Sequence, residues 1–364
     1  MGLWIDYGIE DDSTKLAIPT WVWAGLLIVS LAMRVAARLK FPQEKSPLRR
    51  TYFGPWYGLY LDDYVLILAV LLALIAMGLI LWACELGFGK RTAELMLLND
   101  PDLPYGGGPA VVEMTMLLFF WMQILYNKVM MLTKVSVLLQ FIRTFGSAVT
   151  KRFRYVCWLM IIIVVGFYTT SVFVVIFTCS PIKSAWIGQC NAQINTTLIW
   201  IIRGWVNTGT DAIIVLMPVV NHIMSSRNAG RDRTKKTPLR ENIVKYVLIA
   251  AGIGVCAVAL TRTLMIPKDG FEKDPMWLAI DWCILSVTED SLCVVTVCLL
   301  SLKCAVLQLA PWIIGYSPLS SRRNSDEEIL ENPGRASSLM WKCQGLCEEK
   351  DPYPQLAEDF DGKF

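Results

Sequence analysis

Long apolar runs alternate with short polar segments along this chain. A transmembrane helix needs about 20 mostly apolar residues, because the hydrocarbon core is about 30 Å thick and a helix rises about 1.5 Å per residue. Runs near 18–37, 64–85, 113–141, 156–177, 197–219, 243–264 and 278–302 meet that length and predict seven spans. The second is the clearest, since Tyr64 to Cys84 holds no charge, whereas the third is long and polar in its middle. Helices are the open-chain solution, because lipid offers the backbone no hydrogen-bond partners. The predicted fold class is therefore all-α: a polytopic seven-transmembrane-helix bundle.

Charge fixes an orientation. Short cytosolic loops carry an excess of Lys and Arg. The first, third and fifth loops hold about sixteen, from Arg34, Arg38, Lys40, Lys45, Arg49 and Arg50 through Arg143, Lys151, Arg152 and Arg154 to the run Arg227–Arg240; the N-terminal segment and the other loops hold about six. This alternation predicts the N-terminus outside or in a lumen and the C-terminus in the cytosol. It divides the chain into an outer segment 1–17, a bundle 18–305 and a cytosolic tail 306–364. The tail becomes rich in Ser, Pro, Glu and Asp and is expected to be disordered. Residues 1–17 are polar and acidic, which argues against a cleavable signal peptide.

Composition agrees with a multi-pass membrane location. The 364 residues are 55% hydrophobic and 18% charged, against about 25% charged in ordinary soluble domains. The formal net charge of +3 gives no reason to expect a nucleic-acid partner. The expected partner is the lipid bilayer, together with a small lipophilic molecule; no protein partner is indicated.

Cys179 and Cys190 fall in the fourth loop, on the predicted outer face, where an oxidising compartment favours a disulfide. Cys84 lies near the same face as a competing partner. Asn195-Thr196-Thr197 is a glycosylation sequon on that side, but it abuts the fifth span, and Asn195 is expected to stay unmodified.

Ionisable groups inside a span are costly and usually face the bundle interior. The third span carries Gln123, Asn127, Lys128 and Lys134. The fifth carries Arg203, Asn207 and Asp211 at i, i+4 and i+8, one helical face. The sixth has Arg262 in its outer third, and the seventh has Asp281, Glu289 and Asp290. Pairing such as Lys128 or Lys134 with Asp211 or Glu289 would hold the bundle together. Alternatively the same groups line a ligand cavity, or Asp211, Glu289 or Asp290 acts as a catalytic general acid. The sequence does not separate these readings.

Other chemistries lack their residues. The single histidine, His222, sits at the cytosolic end of the fifth span, and no His/Cys/Asp cluster has metal-ligand spacing, so neither a metal nor another cofactor is expected. Gly106-Gly107-Gly108 lies between Pro104 and Pro109 and reads as a turn. A retinylidene protein needs a lysine at mid-depth in the seventh helix; here Glu289 and Asp290 occupy that depth and Lys303 is at the end.

The order of motifs resembles the fungal rhodopsin-like integral membrane proteins of the satratoxin-cluster and conidial-pathogenesis receptor types. Leu61-Asp62-Asp63-Tyr64 opens the second span, and Gly87-Phe88-Gly89-Lys90 follows it. Lys134 through Arg143 closes the third, and Cys179-Ser180-Pro181 with Trp186 and Cys190 matches the outer loop. Asp211 through Pro218, then Arg262, Asp274, Trp277 and Glu289, complete the set over roughly residues 20–305. The family's seventh span typically ends Cys-Leu-Pro and a base, whereas this one has Cys298-Leu299-Leu300 and then Lys303. Despite the family's name, the resemblance does not imply retinal. It implies a membrane protein associated with fungal secondary-metabolite biosynthesis that handles or senses a small lipophilic molecule. A membrane-embedded cyclase or isomerase is the alternative. A transporter fits less well, since no internal repeat is visible.

Overall fold

A computed structural model describes residues 12–40, 59–97, 108–145, 151–187, 196–228, 239–266 and 274–313. Among them run seven long helices, α1 (Ser13–Lys40), α2 (Leu61–Leu86), α4 (Gly108–Phe145), α5 (Lys151–Phe177), α7 (Thr196–Asn228), α8 (Leu239–Leu264) and α9 (Pro275–Ile313), with the short helices α3 (Thr92–Leu97) and α6 (Ser184–Ile187) between them. No strand forms among the described residues.

Local sequence explains the helix ends that matter here. At the start of α2, the Tyr60 backbone N–H donates to Asp63 Oδ2 at 3.1 Å. Asp62 and Asp63 both lie in the first turn, where carboxylates suit the positive end of the helix dipole. Gly87 ends α2 with φ 112°, the Phe88 N–H reaching back to the Ala83 carbonyl at 2.8 Å. Left-handed backbone of this kind costs glycine little. Gly89 has φ 108° as well, and a Cβ there would stand 2.8 Å from the backbone nitrogen of Ser13. The Gly-Phe-Gly-Lys motif thus closes α2 and lets the start of α1 dock on it, the Asp12 N–H bonding the Gly89 carbonyl at 3.2 Å.

The helices pack as a closed ring in the order α1, α2, α4, α5, α7, α8, α9 and back to α1, with α4 and α9 also meeting across the middle. Apolar packing divides in two. One core lies among α1, α2, α4 and α9, around Leu27, Leu66, Val129 and Val294. The other lies among α4, α5, α7 and α8, around Met130, Val164, Ile214 and Val255. Outward faces are apolar too: Val22 and Val29 on α1, Leu68 and Ile75 on α2, Ile162 and Phe173 on α5, and Ile213 and Leu216 on α7 are exposed. Apolar inside and apolar outside is the pattern of helices surrounded by lipid.

Five of the long helices, α1, α2, α4, α5 and α9, are by length and composition apolar enough to cross a membrane, and α8 contributes a shorter apolar stretch, Ile249–Leu264. Helix α7 falls outside that group because its interior face carries Arg203, Asn207 and Asp211. Most helices extend past the predicted spans, and two of their ends cross the expected limits of the bundle. Helix α1 begins at Ser13 and takes in part of the segment 1–17, and α9 continues to Ile313, past the expected end of the bundle at 305. The second difference has a local cause, since Cys304-Ala305-Val306-Leu307 continues the helix-compatible apolar pattern without Gly or Pro. Residues 314–364, Cys190 and Asn195 lie outside the described residues.

Candidate functional site

A buried polar network joins α4, α5, α7, α8 and α9. Its hub is Asn207. The side-chain oxygen of Asn207 accepts from Lys134 Nζ at 2.9 Å and from the Tyr168 hydroxyl, and its amide nitrogen donates to Glu289 Oε1 at 2.5 Å. Both ends of the amide are therefore committed, and its orientation follows from the cation on one side and the carboxylate on the other. Lys134 Nζ also donates to the Asn207 carbonyl (3.1 Å) and Thr210 Oγ1 (2.8 Å), and it pairs with Asp211 Oδ1 at 3.0 Å. Glu289, fully buried, takes Arg262 Nε on Oε2 at 2.5 Å, with the Tyr126 hydroxyl at 3.4 Å on the same oxygen. The Arg262 guanidinium lies over the rings of Tyr126 (5.0 Å) and Trp282 (5.5 Å).

Sequence spacing anticipated this site in part. Asn127 and Lys134 share a face of α4, as a separation of seven requires, and Arg203 Nη2 donates to Asn127 Oδ1 at 2.9 Å. Lys134 pairs with Asp211, one of the pairings considered above. Glu289 pairs instead with Arg262. Lys128 is half-buried and forms no ion pair among the described residues. It stands about 100° around the helix from Asn127, so it cannot share the inward stripe. Asp281 is exposed. Cys179 is disulfide-bonded, and buried Cys84 is not its disulfide partner.

Asp290 has a different environment from the other two candidate acids. It is 8% exposed, and its Oδ1 has no hydrogen-bond partner. It lines a cavity of about 40 Å³ between α2, α4 and α9, with Ala73, Met77, Phe119, Gln123, Trp282 and Ser286 among the walls. Most of those walls are apolar or aromatic. A space of this size holds a functional group or a water or two. Met77 and Met122 also line it, and methionine is the most readily reshaped apolar side chain.

A second charged cluster lies at the opposite end of α2, and sequence reasoning did not foresee it. Arg34 and Arg38, taken from sequence as loop positives, sit in the last turns of α1 and are buried. Arg34 Nε donates to Asp63 Oδ1 at 2.8 Å and its Nη2 to Asp62 Oδ2 at 2.9 Å, while its Nη1 reaches the Val297 carbonyl at 2.8 Å. Arg143, near the end of α4, donates to Asp62 Oδ1 at 2.8 Å. Ser136 Oγ donates to the Asp62 carbonyl at 2.8 Å. The cluster ties α1, α2, α4 and α9 together. The available signal was two adjacent acids opening an apolar span, with bases four apart on the preceding helix.

A third set, opposite this one, accounts for further motif residues. The Thr92 backbone N–H and hydroxyl both donate to Asp274 Oδ1, at 3.2 and 2.6 Å, and Arg91 stacks over Trp277 at 5.3 Å.

The motif positions are thus the contact points of one bundle, and comparison with known proteins agrees. A family model described as the fungal rhodopsin domain matches residues 50–307. This chain belongs to that family. A relative described as a SAT4 family membrane protein, from Emericella nidulans, is 25% identical over 161 residues, 44% of this chain and 39% of the relative. The match thus spans about two fifths of that protein's length. No solved structure matches. This fungal rhodopsin domain protein is a multi-pass helical membrane protein, and its buried charges lie inside the ring of helices.

Proposed function

We propose that this protein binds a small lipophilic molecule carrying a hydrogen-bond donor, which enters the cavity between α2, α4 and α9 and meets Asp290. The observation that carries this reading is the contrast among the three intramembrane acids. Asp211 and Glu289 each face a cation at 3.0 Å or less. Asp211 Oδ2 and Asp290 Oδ1 both lack a hydrogen-bond partner, but Asp290 has no cation at ion-pair distance among the described residues, and it lines the aromatic-walled space. Buried polar atoms are nearly always hydrogen-bonded, and an exception calls for a partner from elsewhere. The two methionines supply the give that a larger ligand needs. That the ligand belongs to secondary metabolism is supported by the family resemblance alone.

The test is thermal unfolding of the purified protein with matched series of alkanes, alkyl alcohols and alkylamines of equal chain length. Alcohols or amines should raise the Tm of wild type more than the alkanes do, and Asp290→Leu should abolish the difference. Equal responses across the three series would remove Asp290 from ligand recognition.

A second reading, a membrane-embedded cyclase or isomerase, rests on the same residue. Its acid would be Asp290, because Asp211 and Glu289 are committed to ion pairs. Microsomes supplied with candidate intermediates should form product with wild type and lose it in Asp290→Asn, while Asp211→Asn keeps it to the extent that the bundle stays folded.

We propose further that the N-terminus lies outside and the C-terminus in the cytosol, supported by the loop charges, and that Cys190 is the partner of Cys179. The cluster around Asp62 then faces the cytosol.

A further inference from the structure

At the start of α2, three guanidiniums meet two carboxylates. Every carboxylate oxygen already has a close donor. Asp62 Oδ1 takes Arg143 at 2.8 Å and Asp62 Oδ2 takes Arg34 at 2.9 Å. Asp63 Oδ1 takes Arg34 at 2.8 Å and Asp63 Oδ2 takes the Tyr60 N–H at 3.1 Å. Arg38 is left over. Its side chain stands 3.8 Å from Asp62 and 3.5 Å from Asp63. Neither its Nε nor its Nη2 makes a hydrogen bond, although the residue is only 7% exposed. Among the described residues, three cations against two anions leave one formal positive charge, and Arg38 is the cation whose Nε and Nη2 have no hydrogen-bond acceptor.

A buried charge left without hydrogen bonds is costly. Two more features shape the place. Arg143 is 14% exposed, so the cluster is open on its side. Arg38 and Arg143 also share one neighbour, their guanidiniums lying 5.9 and 4.4 Å from the Tyr60 ring centre. Both side chains also approach Asp62, Arg38 at 3.8 Å and Arg143 at 2.8 Å, and a guanidinium fork suits the oxygens of a phosphate, which it binds bidentately.

We propose that Arg38 and Arg143 form a binding site for a phosphate group at this end of the bundle, supplied by a membrane phospholipid headgroup or by a free phosphate. The bound anion brings the cluster to neutrality and gives the Arg38 donors their acceptors. The carboxylates do not exclude it, because their oxygens are already engaged by Arg34, Arg143 and the Tyr60 N–H. The site is independent of the Asp290 cavity.

The test uses the full chain, purified in a phosphate-free, non-ionic detergent. Two probes are compared. One is inorganic phosphate added in detergent, and the other is phosphatidic acid included in phosphatidylcholine nanodiscs. Either probe should raise Tm by about 3 °C or more, as saturating a site of the folded state does. Arg38→Gln should lose most of that shift, and Arg38→Lys should keep part of it. A shift with phosphatidic acid alone assigns the headgroup; a shift with both assigns any accessible phosphate. Retention of phosphate or phosphatidic acid by wild type in native mass spectrometry gives a second readout should Arg38→Gln fail to fold. The proposal is overturned if neither probe shifts or is retained by wild type, or if Arg38→Gln responds as wild type does.

Discussion

Arg262 of α8 and Glu289 of α9 meet at 2.5 Å at the most buried carboxylate of the bundle, Glu289 having no exposed surface. The pair does not stand alone. Asn207 of α7 holds the other carboxylate oxygen, and Lys134 of α4 holds Asn207. Loss of one member therefore leaves partners on three helices with buried and unmatched groups. The network sets how α4, α7, α8 and α9 register against one another.

Glu289→Gln should consequently be costly, because removing one partner of a buried pair typically loses about 3–5 kcal/mol. The measurement is thermal or denaturant unfolding in detergent. Replacing both charges, as in Arg262→Met with Glu289→Leu, should recover more than half of that loss, since apolar residues of similar volume carry no desolvation cost. A Glu289→Gln protein as stable as wild type would mean that the ion pair contributes nothing to the fold.

Lys134 and Asp211 give a smaller, separable effect. Lys134 has three further acceptors in Asn207 and Thr210, so Asp211→Asn leaves the ammonium partly matched. Lys134→Met leaves Asp211 with no cation. Lys134→Met should be the more destabilising of the two, and a double-mutant cycle should show coupling of about 1–3 kcal/mol. Additive effects would place the pair outside the network.

Seven spans were legible because length and apolarity are properties of each segment alone. Even α7, whose charges disguise it, was recovered from its long run and from the alternation of basic loops. Partner choice was not legible, because it depends on which helices are neighbours in the ring. Arg203, Asn207 and Asp211 were placed on one face correctly, yet nothing in that stripe says that Asn207 meets both Lys134 and Glu289. Arg262 was assigned a depth but no partner. Arg34, at the end of the predicted span 18–37, and Arg38, just beyond it, were both counted as loop charges, whereas α1 runs to Lys40 and carries both. The four-residue spacing that turns both toward Asp62 and Asp63 becomes meaningful only once that extra helix exists.

The proposed Cys179–Cys190 bridge closes a loop of about a dozen residues, for which chain-entropy reasoning gives about 3 kcal/mol. Cys179→Ser and Cys190→Ser should each lower Tm by the same amount, and the double variant should lower it no further. Mass mapping under non-reducing conditions should find one peptide joining the two. A Cys190→Ser protein with unchanged Tm would point to a different partner for Cys179.

Orientation can be tested without reference to the site. A reporter placed after residue 330 should behave as cytosolic: digested by protease added to sealed microsomes, whose outer surface is the cytosolic face, and never glycosylated. A glycosylated reporter there would reverse the orientation and put the Asp62 cluster on the opposite face from the one proposed.

Helix α7 approaches α8 through two glycines, one on each. A Cβ on Gly204 would stand 2.7 Å from Thr263 Oγ1 and Cγ2, and one on Gly252 would stand 2.8 Å from Val215 Cγ2. The Thr208 and Thr263 hydroxyls lie 3.4 Å apart in the same interface. Small residues allow such close packing between membrane helices, where no hydrophobic force draws helices together. Thr263 and Val215 are β-branched and stiff at χ1, so neither can swing aside cheaply. Gly204→Ala should therefore cost about 1–3 kcal/mol through overpacking. Gly209, on the same helix, has nothing within 4 Å of a Cβ, and Gly209→Ala should be neutral or mildly stabilising, by up to about 1 kcal/mol of helix propensity. Unfolding of the two variants in parallel makes the comparison internal. If Gly204→Ala were the more stable of the two, α7 and α8 would have to stand further apart than these contacts allow, and Arg262 would then reach Glu289 from a different position.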